Sequence, residues 1–325
     1  MGAPQENVSR TNCSFYQPSV LLMTGIPGMG TIQHRLVSIP FCLFYLIAFL
    51  GNGTILFIIR RTPSLHEPMH YFLSMLAAVD LGMAACTLPT TLGLFWFDIR
   101  EIGFDACLTQ MYLIHVFSVL ESSVLLAMAF DRFVAIARPL RYKAILTKAT
   151  IVKIGLAMLL RSAVSLLPLP FLLKRLSYCK NNSLSHSFCF HPDVMKLANP
   201  DDITINVLYG LVVIVTTAGI DSVFIVLSYL LIIRTVVSLG ATGKCWKTLN
   251  TCVSHICAVL IFFIPMIGLS MIHRFGQTLP PIVSTVVAYV YLIVPPALNP
   301  IIYSIKSKPI RKALYRMLLW KMETI

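Results

Sequence analysis

What most constrains this 325-residue chain is the recurrence of long runs with almost no charge. Crossing the hydrocarbon of a bilayer takes about 20 mostly apolar helical residues. Leu36 to Ile59 carries no charged residue, His70 to Phe97 only Asp80, and Ala106 to Phe130 only Glu121. Ile151 to Leu173 carries Lys153 and Arg161, and Ile203 to Ile233 carries Asp221. Leu249 to Ile272 and Ile282 to Ile305 contain no Asp, Glu, Lys or Arg. In hydrocarbon the backbone must satisfy its own hydrogen bonds within a segment, so seven such runs read as seven helices. The expected fold is an all-α membrane protein. It is a single seven-transmembrane helix bundle over residues 36–305, with a tail at 1–35 and a short segment at 306–325. Charged residues make up 12% of the chain, against about 25% in ordinary globular proteins, which excludes a soluble domain and a disordered one.

The excess of 26 Lys and Arg over 13 Asp and Glu would suggest nucleic acid in a soluble protein, and its distribution argues otherwise. Sixteen of the basic residues fall in the loops of one side and eight in those of the other. By the positive-inside rule the N-terminus is expected outside and the C-terminus inside. The first 20 residues lack the apolar core of a signal peptide, so the first span is expected to act as the insertion signal. Sequons at Asn7, Asn12 and Asn181 lie on the expected outer side, whereas the one at Asn52 lies within span one and is discounted. Cys13, Cys107, Cys179 and Cys189 are also outside, where disulfides persist, and four cysteines allow three pairings. A bridge between Cys107, at the start of span three, and Cys189 would pin the long loop of residues 174–202 over the bundle as a lid. Pro309 to Met322 reads as a basic amphipathic helix that lies on the anionic lipids of the inner leaflet.

Ionisable groups inside a membrane are costly and mark function. Asp80 lies 12 residues after Pro68 and Glu121 lies 11 before Arg132. At 1.5 Å per residue both stand roughly 17 Å above the cytoplasmic side. Two carboxylates at one depth share a cation or a proton, or else form a hydrogen-bonded packing network; Asn52 and Asn299 are nearby polar candidates. Arg161 and Asp221 are read as members of structural ion pairs. Asp131-Arg132 ends span three, and Arg132 can pair with its neighbour or swing to a partner protein or a tyrosine hydroxyl. Span seven closes Pro295-Pro296-Ala297-Leu298-Asn299-Pro300-Ile301-Ile302-Tyr303, where proline kinks a helix beside a polar Asn. At the outer rim Arg274, with Ser270 one turn below and His115 across in span three, suits a bidentate carboxylate. The alternative is that Arg274 pairs with a loop acid such as Asp193 or Asp202. His186, Cys189 and His191 match no standard metal signature.

Taken together these residues resemble a rhodopsin-like G protein-coupled receptor, and more closely an odorant receptor. Gly51-Asn52 is similar to the family's GN, and Pro68-Met69-His70-Tyr71-Phe72-Leu73 to PMYYFL. Met128 to Leu140 resembles MAYDRYVAICNPL, Ser228-Tyr229 the SY of span five, Lys247 to His255 KAFSTCxSH, and Pro296 to Tyr303 PxLNPxIY. The long outer loop and His273-Arg274-Phe275-Gly276 resemble the class I, fish-like branch, and within it family 51. The resemblance implies residue roles. Cys107 and Cys189 would form the family's bridge. Asp80, Glu121 and Asn299 would hold a sodium ion, the only cofactor expected. Asp131, Arg132, Tyr229 and Tyr303 would be the activation switch. His115, Ser270 and Arg274 would line the pocket of a small odorant, a carboxylic acid or another polar volatile. The partner would be the heterotrimeric stimulatory olfactory G protein, raising cyclic AMP, with no nucleic acid involved. Departures include Phe133 and Ala137 in the span-three motif, and Phe263, which would make the pocket floor less polar. Asn199 stands where a third loop cysteine is usual, leaving Cys179 free or paired with Cys13.

The main rival, a proton- or sodium-coupled small-solute transporter, predicts repeated halves with matching broken helices, and none is visible. A retinal protein needs a Lys in span seven, which has none. No nucleophile stands with a base, so no enzyme activity is expected.

Overall fold

The structure, a computed structural model, describes residues 17–26, 31–179, 182–238, 242–275 and 279–323. The sequons at Asn7, Asn12 and Asn181, and Cys13, lie outside the described residues. Seven helices are long and apolar enough to cross a membrane, covering Arg35–Arg61, Pro68–Phe97, Phe104–Ala137, Lys148–Lys174, Thr204–Ser238, Cys252–Arg274 and Ile282–Lys306. The seven apolar runs are therefore all helical, and the helices outrun them where polar residues extend a span into its flanks.

The ends follow local chemistry. Helix α1 (Thr31–Arg61) finishes on Arg60 and Arg61, which complement the negative end of the helix dipole. Helix α2 (Pro68–Phe97) opens on Pro68, whose missing N–H is no loss in a first turn. It stops where Asp98 turns left-handed at φ 53°. Helix α3 (Phe104–Ala137) runs through the centre of the bundle, and the one-turn α4 (Tyr142–Ile145) follows it. Span four is α5 (Lys148–Leu166), capped by Thr147 accepting from the Thr150 amide at 3.2 Å, and then α6 (Pro168–Lys174). Short α7 (His191–Lys196) sits in the loop that follows. Span five is α8 (Thr204–Ile214), a π turn over Val215–Gly219, and α9 (Ile220–Ser238). Helices α10 (Thr242–Phe275) and α11 (Pro281–Lys306) form spans six and seven, and α12 (Lys308–Glu323) follows an extended Ser307.

The packing is two-sided. Phe72, Leu76, Phe262 and Leu292 fill the centre, while Leu156, Leu160, Val164 and Val223 stay exposed on spans four and five. An apolar belt of that extent is untenable in water and natural against lipid tails. Helices approach closely where glycine leaves room, as bilayer-spanning helices require. A Cβ on Gly51 would lie 2.7 Å from the Pro300 ring, and one on Gly82 would lie 2.4 Å from Phe117. In α12, Ile310 is buried and Ala313, Leu314 and Met317 pack against the bundle, leaving Lys308, Arg311, Lys312 and Arg316 exposed.

Three short strands, β1 (Val20–Met23), β2 (Glu101–Gly103) and β3 (Ser183–Leu184), add a small sheet in the order β2-β1-β3. Val20 pairs antiparallel with Gly103, and Leu22 pairs parallel with Ser183. Segments of two to four residues carry too few alternations for a period of two to be read from sequence. The sheet lies at the end of the bundle where Cys107 and Cys189 are bonded, their Cα atoms 5.4 Å apart.

Candidate functional site

At the disulfide end a cavity of about 540 Å³ opens between spans three, four, five, six and seven. His115, Ser270 and Arg274 all line it, as do Phe190, His191, Met195 and Lys196 from the long loop. The walls are mostly aliphatic, among them Leu166, Leu169, Val213, Ile214, Met266 and Leu269. The loop is held over the cavity by several ties. The Cys107–Cys189 bridge anchors it, and the Cys189 amide donates to Gln110 Oε1 at 2.9 Å. His186 Nδ1 pairs with Asp193 Oδ2, both side chains buried, and Lys196 approaches Asp193 Oδ1 at 3.7 Å. Burial alone would raise the Asp193 carboxyl, but the His186 imidazole and the Lys196 ammonium hold it below the usual carboxylate range.

Asp193 is thus already engaged, and among the described residues no acid pairs with Arg274. The Arg274 side chain is exposed on the cavity rim. His115 Nδ1 lies 2.8 Å from the Met111 carbonyl, which can only accept, so Nδ1 carries the proton and Nε2 is an acceptor. The Phe190 ring contacts both His115 and His273, with centroids 5.2 and 5.5 Å away. Tyr291 also lines the cavity, whereas Phe263 does not; it packs edge-on against Phe262, so it does not set the polarity of the floor. His186, Cys189 and His191 do not gather, since Cys189 is in the disulfide and His186 is on Asp193. No metal-binding group of three is found among the described residues. Cys179 is disulfide-bonded rather than free.

Midway down the bundle a polar layer collects the expected residues. Asn299 Nδ2 donates to both Asp80 oxygens, at 3.3 and 3.1 Å. Asn52 Nδ2 donates to the carbonyls of Ala48 at 3.0 Å and Pro296 at 2.8 Å, the second of which the span-seven prolines free from the helix ladder. Glu121 is buried within electrostatic reach of Asp80 and Asn299. Glu121 Oε1 and Asn299 Oδ1 have no hydrogen-bond partner.

At the far end Arg132 Nε lies 3.9 Å from Asp131 Oδ2, a loose pair, and Nη2 is buried without a partner. Asp131 Oδ1 instead accepts a 2.7 Å hydrogen bond from Tyr142 on α4. Burial and the Asp131 charge push the Tyr142 hydroxyl above its ordinary value. Of the two expected tyrosines, Tyr229 is 2.6 Å from His255, and the Tyr303 hydroxyl is buried without a hydrogen-bond partner. Sequence reasoning missed Tyr142 and His255 as members of this group.

Arg161 and Asp221 prove to be each other's partners at 2.8 Å. Ser122 Oγ donates to Asp221 Oδ2 at 2.8 Å, and Arg161 also reaches Ser123 Oγ at 3.1 Å and the Thr216 carbonyl at 3.2 Å. Thr216 lies in the π turn, which releases a carbonyl from α-helical pairing for this use.

The family model described as olfactory receptor matches residues 41–321. The chain is 56% identical over 300 residues to human olfactory receptor 51G2, covering 92% of this chain and 95% of that one. It is 54% identical over 303 residues to human olfactory receptor 51G1, covering 93% and 94%. In fold it is similar to the crystal structure of squid rhodopsin, with a TM-score of 0.67 at 17% identity over 91% of this chain and 83% of that one.

Proposed function

This chain belongs to the olfactory receptor family of G protein-coupled receptors, and from that premise we propose that the cavity at its disulfide end takes a small organic acid as odorant. As an odorant receptor and multi-pass membrane protein it couples ligand binding to a G protein. What carries the choice of ligand is Arg274, a permanent cation on the rim of a largely aliphatic cavity, with no acid paired to it among the described residues. A carboxylate supplies the missing charge and its alkyl chain fills the aliphatic remainder. Ser270, one turn below Arg274, and His115 Nε2 complete the polar lining. The loop ties described above support a preformed lid, which lowers the ordering cost of binding.

In this reading the disulfide end faces outward, the C-terminal helix lies along the cytoplasmic leaflet, and the partner is the stimulatory olfactory G protein. Arg132, Tyr229 and Tyr303 form the switch at the G protein face. Asp80, Glu121 and Asn299 would hold a sodium ion, a fit supported by the unpartnered oxygens of Glu121 and Asn299. The test is a cyclic AMP assay on cells expressing the receptor, with surface expression verified. Short and medium-chain acids are expected to activate it. Arg274→Ala is expected to weaken that response by more than about tenfold and to leave basal signalling intact. An unchanged dose–response curve removes Arg274 from the site.

A further inference from the structure

The cavity has a second polar group in its lining, contributed by elements other than the one that carries the arginine. It is built by His115 on α3, His191 on α7 and Asn206 on α8, all three lining the cavity. Asn206 is 1% exposed and His191 6% exposed, so each is more than nine-tenths buried. Neither His191 Nε2 nor Asn206 Oδ1 has a hydrogen-bond partner. The Asn206 amide nitrogen is directed at the Leu172 carbonyl at 3.5 Å, which assigns the orphaned oxygen as an acceptor. Asn206 and His191 lie within side-chain contact of each other, close enough for the imidazole to feel the amide, yet the two atoms are not aligned as a well-formed hydrogen bond, which leaves both open to a third group. Buried polar atoms are almost always paired, and an orphaned pair facing one cavity marks a place for a ligand group.

The chemistry of the pole selects that group. Burial, reinforced by neighbouring His115, pushes the His191 imidazole down to about 3, so it is neutral at physiological pH. A neutral imidazole brings no positive charge, and an amide oxygen can only accept, so the pole disfavours a second carboxylate. The two suit a group that donates one hydrogen bond and accepts another, which a hydroxyl does. Phe190 is in ring contact with His115 of this pole and with His273, the chain neighbour of Arg274.

We infer that the receptor prefers a hydroxy acid: the carboxylate sits at Arg274, and a hydroxyl further along the chain bridges Asn206 Oδ1 and His191 Nε2. The inference rests on the acid reading of the cavity and sharpens it to a bifunctional ligand. A site built to hydrogen-bond a hydroxyl penalises the analogue that lacks it, because its own buried groups then stay unpaired.

The test compares octanoic acid, its positional hydroxy isomers and their O-methyl ethers on the intact receptor in cells. At least one isomer is expected to be about tenfold more potent than octanoic acid, and its methyl ether is expected to lose that gain. Asn206→Leu is expected to abolish the isomer's advantage, bringing the potency ratio of hydroxy acid to plain acid close to one. His191→Phe, which keeps an aromatic ring over the cavity, is the second variant should Asn206→Leu fail to reach the surface. If all isomers match or fall below octanoic acid, or if the preference survives both variants, the hydroxyl subsite is wrong while the acid reading stands. If no acid of either kind activates and Arg274→Ala changes nothing, the acid reading itself fails.

Discussion

Tyr229 donates a 2.6 Å hydrogen bond to His255 Nδ1, and the direction of that bond is set by the other side of the ring. His255 Nε2 lies 2.9 Å from the Leu125 carbonyl, which can only accept, so the proton is on Nε2 and Nδ1 must accept. One imidazole thus joins spans three, five and six while Arg132 holds only its loose contact with Asp131. Removing one member of a buried hydrogen-bonded set costs on the order of 1–3 kcal/mol. His255→Phe is therefore expected to free Tyr229 and raise basal cyclic AMP several-fold. Basal signalling equal to wild type would show that the imidazole does not restrain the resting state.

The polar layer makes a separate claim on sodium. If Glu121 and Asp80 embrace the ion, replacing external sodium with choline raises basal signalling in wild type. In Glu121→Gln, which keeps the shape and loses the charge, that response is expected to vanish. Equal sodium responses in the two receptors would leave the layer as packing alone.

Arg161 and Asp221 make an ion pair in the apolar part of the bundle, with Asp221 fully buried. Breaking such a pair from one side costs about 3 kcal/mol because a buried charge is left alone. Arg161→Met is expected to lower the melting temperature of the detergent-solubilised receptor by several degrees and to reduce surface expression. Arg161→Met with Asp221→Leu is expected to recover most of that loss. A double variant as unstable as the single one would mean that Ser122, Ser123 and Thr216 depend on the charges.

Acid should loosen the lid over the cavity. The folded value of His191 is about 3, below the ordinary histidine range, so between the two the open form binds more protons and closure is lost as pH falls. Asp193, held low by His186 and Lys196, adds its own loss only below the ordinary carboxylate range. Odorant potency is therefore expected to fall between about pH 7 and pH 5.5, inside the histidine window and above most of the ligand's own titration. His191→Phe is expected to flatten that profile. A wild-type dose–response independent of pH in this range would separate His191 from lid closure.

The membrane helices were legible because a bilayer imposes a length and a polarity that leave a long, uniform trace in the sequence. Single residues such as Arg274, Asp80 and Arg132 were legible because a charge in an apolar setting stands out. The tie between Arg161 and Asp221 was not, since nothing along the chain links two residues on different helices. His255 and Tyr142 were missed for the same reason: each matters through one contact across the bundle. The second pole of the cavity lay deeper still. His191 belongs to a loop whose path depends on the disulfide and the small sheet, and Asn206 reads as an ordinary polar residue at a helix start.

The π turn in span five has a consequence beyond the carbonyl it offers to Arg161. It holds one residue more than an α-helical path would, and each residue turns a helix by about 100°. Deleting one residue from Val215–Gly219 would rotate everything before it by that angle, carrying Asn206, Gly210 and Val213 off the cavity wall. Asp221 and Tyr229, beyond the turn, would keep their partners. Span five is thus written in two reading frames, one addressed to the odorant and the other to the switch, and residues can be exchanged in the first without respelling the second.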